Sequence, residues 1–106
     1  MATFDDRKKG FEEKFRHDQE LQFKVTARRN RLLGLWAAEK MGLSGDAADS
    51  YAKEVVAADF QKPGDDDVVQ KVLTDLQAKN IAVSDAQIRD ELRRLLDVAK
   101  KQLAGG

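Results

Sequence analysis

"LLGLWAA", Leu32–Ala38, is the stretch on which the fold turns. It is apolar almost all round. A helix of that kind sits in the middle of a fold, where neighbours cover every face. The run is far shorter than the ~20 residues that span a bilayer. Towards the N-terminus Leu21, Val25, Leu32, Leu35 and Trp36 recur at the i, i+4, i+7 rhythm of one helical face. The spacing predicts a long helix over about Gln19–Met41, with Trp36 in the core and Gly42 as the residue that ends it.

Beyond Gly42 the pattern repeats on a smaller scale. Ser44 is an expected N-cap for a second helix over about Gly45–Phe60. Ala47, Ala48, Tyr51, Ala52, Val55 and Val56 form its inner stripe, and its small alanines allow another helix to approach closely. "QKPGDDD" (Gln61–Asp67) reads as a turn, with Asp65 capping a third helix over about Asp66–Lys79. Val68, Val69, Val72, Leu73 and Leu76 face inward there. Ser84 and Gln87 have the spacing of a capping box, flanked by Val83 and Ile88 as a hydrophobic staple. Ile88, Leu92, Leu95, Leu96, Ala99 and Leu103 then mark a fourth helix. Asp85–Arg89, Asp90–Arg94 and Asp97–Lys101 are expected i, i+4 pairs on its wet side. The fold class is therefore all-α: a four-helix bundle over residues 19–104, preceded by an N-terminal segment, 1–18, that is flexible and can become helical.

Composition limits what this bundle can do. The 106 residues make one domain, 42% hydrophobic and 36% charged, with a single proline. Nineteen bases balance nineteen acids, so the overall basic excess of a dedicated nucleic-acid binder is missing. No cysteine is present, which excludes disulfides and cysteine metal sites and is compatible with an intracellular location. No continuous apolar region near the start indicates a signal peptide, and no transmembrane segment is expected.

Catalytic constellations are absent too. His17 is the one histidine, and Ser44 and Ser84 already read as helix caps. No glycine-rich phosphate loop occurs. Asp65–Asp67 lack the alternation of a calcium loop and read as helix-start acids, so no metal and no cofactor are expected. The chain is not expected to be an enzyme. One local basic cluster, "KVTARRNR" (Lys24–Arg31), puts Lys24, Arg28 and Arg31 on one face, with Arg29 pointing elsewhere. That face is either a weak anion site, for a nucleotide phosphate or an acidic partner, or a solvated surface paired with Glu20 or with acids of another helix. A DNA-associated role is the weakest reading.

The segment 1–18 is different. Five bases and five acids surround three of the five phenylalanines. At 100° per residue, Phe4, Phe11 and Phe15 lie within about 40° of one another, a narrow aromatic stripe on an amphipathic helix. Such a helix is marginal alone, and Gly10 costs it about another 1 kcal/mol relative to alanine. Either a partner groove receives the stripe, or it packs back on the bundle. A membrane-surface helix fits less well, because the acids weaken attraction to anionic lipid. His17, beside Asp18, is a candidate pH switch.

The stretches "TFDDR" (Thr3–Arg7), "FEEKFRHD" (Phe11–Asp18), "ARRNRLLGLWAAEKMGLSGD" (Ala27–Asp46), "YAKEVVAADF" (Tyr51–Phe60) and "GDDDVVQKVLTDL" (Gly64–Leu76) resemble the zeta subunit of alpha-proteobacterial F-type ATP synthases. The resemblance covers most of the chain and loosens in the last helix. It implies a small helical bundle that inhibits ATP hydrolysis by the synthase. The N-terminal segment would insert as a helix at a catalytic alpha/beta interface next to the gamma rotor and block rotation, and the bundle would anchor it. The implied partner-binding residues are Phe4, Asp5, Asp6, Arg7, Phe11, Glu12, Lys14, Phe15, His17 and Asp18. The implied setting is cytoplasmic, peripheral to the inner membrane through the synthase head, with the free chain monomeric. The sequence departs from the family pattern at Lys8, Lys9 and Gly10, where an acid and an alanine are usual.

Overall fold

The computed structural model describes the backbone of residues 2–59 and 64–105, and the side chains of residues 19–59 and 64–104. Four helices follow one another: α1 (Ala2–Lys40), α2 (Gly45–Ala58), α3 (Asp66–Ala78) and α4 (Asp85–Gly105). The all-α expectation holds. Each helix touches the next, α4 returns to α1, and α1 also meets α3, so α1 and α3 each contact all the others. The start of α1 differs from the expectation drawn from the apolar rhythm, which placed it near Gln19. The helix runs without a break from Ala2, about 58 Å at 1.5 Å per residue.

The core forms where the inner stripes converge. Leu33, Ala37, Ala38, Tyr51, Val55, Val68, Val69, Val72, Leu76, Ile88, Leu92 and Leu95 make one buried cluster drawn from all four helices. Leu33 is fully buried, as are Leu76 and Ile88. Some expected core positions are not interior. Leu21 is 46% exposed, lining an open groove with Leu103 and Ala104 of α4. Ala47 is exposed in the first turn of α2. Trp36 is only half-buried; its ring lies on the rim of the core, with Lys40 Nζ 4.9 Å from its centroid.

Gly34 explains how α1 and α2 come so close. A Cβ built there would stand 2.6 Å from Ala52 Cα and 3.1 Å from Ala52 Cβ. Only glycine on one helix facing alanine on the other permits that separation, so the small residues of α2 act where they were expected to. Glycine inside a helix lowers its intrinsic propensity. Here that loss accompanies a close helix–helix approach.

The helix ends follow local chemistry with two exceptions. Leu43 N–H donates to Ala38 O at 2.8 Å and Gly42 N–H to Glu39 O at 3.1 Å, with Gly42 at φ +77°. This is a Schellman ending, which requires the left-handed residue that Gly42 supplies. α3 ends the same way: Ile81 N–H reaches Leu76 O and Asn80 adopts φ 61°. The capping box is formed. Ser84 N–H donates to Gln87 Oε1 at 2.9 Å and Gln87 N–H to Ser84 Oγ at 3.2 Å. Ser44 and Asp65, by contrast, occupy N-cap positions without a side-chain cap bond. For Asp65 the reason is visible: its carboxylate is engaged by Arg29 of α1. Pro63, in the expected turn, lies outside the described residues, as does Phe60.

Candidate partner-binding site

The residues expected to bind a partner, Phe4, Asp5, Asp6, Arg7, Phe11, Glu12, Lys14, Phe15, His17 and Asp18, all belong to the N-terminal half of α1. Their backbone is helical and their side chains lie outside the described residues. The helical register is informative by itself. The mean direction of positions 4, 11 and 15 falls within about 20° of the mean direction of positions 25, 29 and 33 at 100° per residue. Val25, Arg29 and Leu33 belong to the buried face of α1. The aromatic positions therefore continue the line that the bundle buries farther along the same helix.

Leu103 and Ala104 of the last turns of α4 reach α1 at Leu21, Gln22, Val25 and Thr26, and with Lys100 they enclose an apolar groove of about 580 Å³. Beyond it α1 continues for about five more turns at 3.6 residues per turn.

The basic cluster is divided by the fold. Lys24, Arg28 and Arg31 are exposed and line one shallow groove of about 370 Å³ with Phe23, Ala27, Val56 and Leu103. Arg28 Nη1 donates to Gln102 Oε1 at 3.4 Å, and Arg31 lies 3.8 Å from Asp49 Oδ1 with both side chains about half exposed. At that exposure such pairing is weak, so these guanidinium groups remain accessible to an anion.

Arg29, the arginine expected only to point elsewhere, is the most constrained. It is 7% exposed. Its Nη2 donates to Asp65 Oδ1 at 2.7 Å and its Nη1 to Asp65 Oδ2 at 3.4 Å. Nε and Nη2 also donate to Asn30 Oδ1, at 3.2 and 3.0 Å. Position 29 lies on the line through Val25 and Leu33, and that register was the available signal for its burial.

The three acids expected at the start of α3 have separate tasks. Asp65 holds Arg29, and Asp66 accepts from Arg89 Nη2 at 2.8 Å. Asp67 is partly buried. Arg89 also pairs with Asp85 at 2.6 Å, as expected. Arg94 pairs with Glu91, one turn away, instead of with Asp90, which Arg93 takes. Among the described residues no group of three His, Cys, Asp or Glu side chains could hold a metal ion. Among the described residues no helix is long and apolar enough to cross a membrane.

On α2, Tyr51 Oη donates to Asp75 Oδ2 at 2.9 Å, and Lys71 Nζ shares that oxygen at 3.1 Å. Burial, reinforced by the hydrogen bond to Asp75, pushes the Tyr51 phenol well above its ordinary value. The arrangement locks α2 to α3 and offers no reacting group.

Comparison with known proteins agrees with this architecture. A protein known from a solution NMR structure is 50% identical, with 80% of this chain and 96% of that chain covered and a TM-score of 0.72. No curated protein matches the chain. The family model for ATPase inhibitor subunit zeta matches residues 1–102, from the first residue through most of α4. On that match the chain belongs to the ATPase inhibitor subunit zeta family, whose members are regulatory and not enzymes.

Proposed function

We propose that the chain inhibits ATP hydrolysis by the F-type ATP synthase through residues 1–18, which insert as a helix at a catalytic alpha/beta interface beside the gamma rotor and block rotation. Residues 19–104 act as the anchor. The unbroken course of α1 from Ala2 to Lys40 carries this reading, because it sets the aromatic positions on a stiff extension of a packed helix. A helix already nucleated by the bundle avoids the unfavourable nucleation step that an isolated peptide faces. Phe4, Phe11 and Phe15 would be the apolar anchors, each worth ~1.5–3 kcal/mol if fully buried. Asp5, Asp6, Arg7, Glu12, Lys14, His17 and Asp18 would set register against the subunit walls. On this reading the chain works as a monomer when free, at the cytoplasmic face of the inner membrane, attached through the synthase head. ATP hydrolysis by the matching synthase, followed with the full chain and with a chain lacking residues 2–18, tests it. Inhibition by the full chain alone is expected; equal inhibition by both sinks the tail mechanism.

A second reading has its own observation. Lys24, Arg28 and Arg31 share a groove with the Phe23 ring, which suits a nucleotide: phosphates on the bases and a purine on the aromatic. On this reading the bundle is a regulatory module that binds an anion. Titration of ATP and ADP against the full chain and against Arg28→Ala, read by calorimetry, separates it from the first.

A further inference from the structure

We infer that the small pocket between α1 and the end of α2, lined by Thr26, Asn30 and Asp59, binds one structural water that bridges the Asn30 amide to the Asp59 carboxylate. The inference concerns the scaffold and does not depend on how residues 1–18 act.

Asn30 sets the problem. It is fully buried on α1, one residue past Arg29. Its Oδ1 accepts from Arg29 Nε at 3.2 Å and from Arg29 Nη2 at 3.0 Å. A guanidinium offers donors only, so the oxygen of the Asn30 amide must face it and the nitrogen must face away. That nitrogen, Nδ2, is buried and finds no acceptor among the described residues. A buried N–H without a partner is costly, and native structures leave few of them so.

The pocket supplies what Nδ2 lacks. It holds about 20 Å³ and is lined by Phe23, Thr26, Ala27, Asn30, Val56 and Asp59. That is room for one water and for nothing larger. Phe23, Ala27 and Val56 give it apolar walls, so its side-chain polar groups are the Asn30 amide, the Thr26 hydroxyl and the Asp59 carboxylate. An N–H donor repels a metal cation, and a carboxylate repels an anion. The occupant that suits both is neutral, accepts on one side and donates on the other. Water has that pattern and that size.

The consequence lies in the chain order. Asp59 is the C-cap of α2 and Asp65 the N-cap of α3. Arg29 holds Asp65 directly. Asn30, its neighbour, holds Asp59 through the water. Two consecutive residues of α1 thus fasten both ends of the connection between α2 and α3.

The test follows the full, isotope-labelled chain by NMR. The Asn30 side-chain amide is expected to show a cross-relaxation peak to water, with the opposite signs in the laboratory and rotating frames that mark a bound, long-lived molecule. Asp59→Ala removes the acceptor and should abolish the peak. Asp59→Asn keeps an acceptor oxygen and should retain it. Thr26→Val removes a hydroxyl that would relay proton exchange to Asn30, and the peak should persist there too. The parent chain alone can refute the idea, whatever the stability of the variants. Absence of a long-lived water at Asn30, or an Asn30 amide proton bonded directly to a protein oxygen, overturns it. So does a peak that survives Asp59→Ala, or one lost with Asp59→Asn or Thr26→Val.

Discussion

Arg29 of α1 grips Asp65, the residue that opens α3, with two parallel contacts of 2.7 and 3.4 Å. The pair joins residues 36 positions apart and ties the turn between α2 and α3 to the central helix. Because Arg29 is buried and Asp65 is 44% exposed at its side chain, the contact is a half-wet clamp and not a fully desolvated ion pair. Removing the guanidinium orphans both Asp65 and Asn30. Arg29→Ala should destabilise the bundle by about 1–3 kcal/mol, the range for leaving buried polar groups unsatisfied. Arg29→Lys should recover only part of this, since an ammonium cannot make the forked contact. Urea unfolding followed by circular dichroism measures both.

Gly34→Ala should also destabilise, by a different route. The new methyl meets the Ala52 backbone at 2.6 Å, so the two helices must move apart, at about 1–3 kcal/mol for overpacking. This outweighs the ~1 kcal/mol that alanine gains in helix propensity. Ala52→Gly added to Gly34→Ala should fail to restore full stability, because the nearest atom is Cα and not the methyl. Thermal melts of the two variants and the parent chain decide the matter.

Tyr51 makes stability depend on alkaline pH. Its phenol is raised by burial first, then by its bond to Asp75, so the folded state keeps the proton that the unfolded chain releases near pH 10. The stabilisation is fully present below about pH 10 and is lost as pH rises from there towards the higher folded value. Tyr51→Phe should flatten this decline and lower stability at pH 7 by ~1 kcal/mol, for the lost hydrogen bond. Paired denaturation curves at pH 7 and above pH 10 provide the comparison.

Gly10→Ala should strengthen inhibition. If residues 2–18 must be held as a helix in the bound state, removing a glycine from that helix recovers about 1 kcal/mol of propensity. The half-inhibitory concentration should fall roughly fivefold by the usual affinity relation. An unchanged value would mean that helix formation there is complete before binding.

Much of the fold was legible because helices announce themselves locally. The inner stripes of α3 and α4 and the Ser84–Gln87 box appear where periodicity placed them. Gly42 ends α1 for a reason contained in its own backbone. The misses arise where a side chain's fate depends on a distant residue. Leu21 has the rhythm of a core position but lines an open groove beside Leu103 of α4 and stays exposed. Asp65 has the position and chemistry of a cap, yet Arg29 outcompetes the helix for its carboxylate. Arg94 chooses Glu91 over Asp90 because both are within a turn, and spacing alone does not rank them.

By itself the sequence determined the helical class, the number of elements, most of their ends and the aromatic register of residues 4, 11 and 15. These depend on periods of 3.6 residues and on caps, which neighbours within a few positions specify. Only the tertiary structure decided that Gly34 seats against Ala52, that Arg29 closes on Asp65, and that Leu21 stays exposed beside Leu103. Those outcomes depend on which surfaces meet after four helices pack.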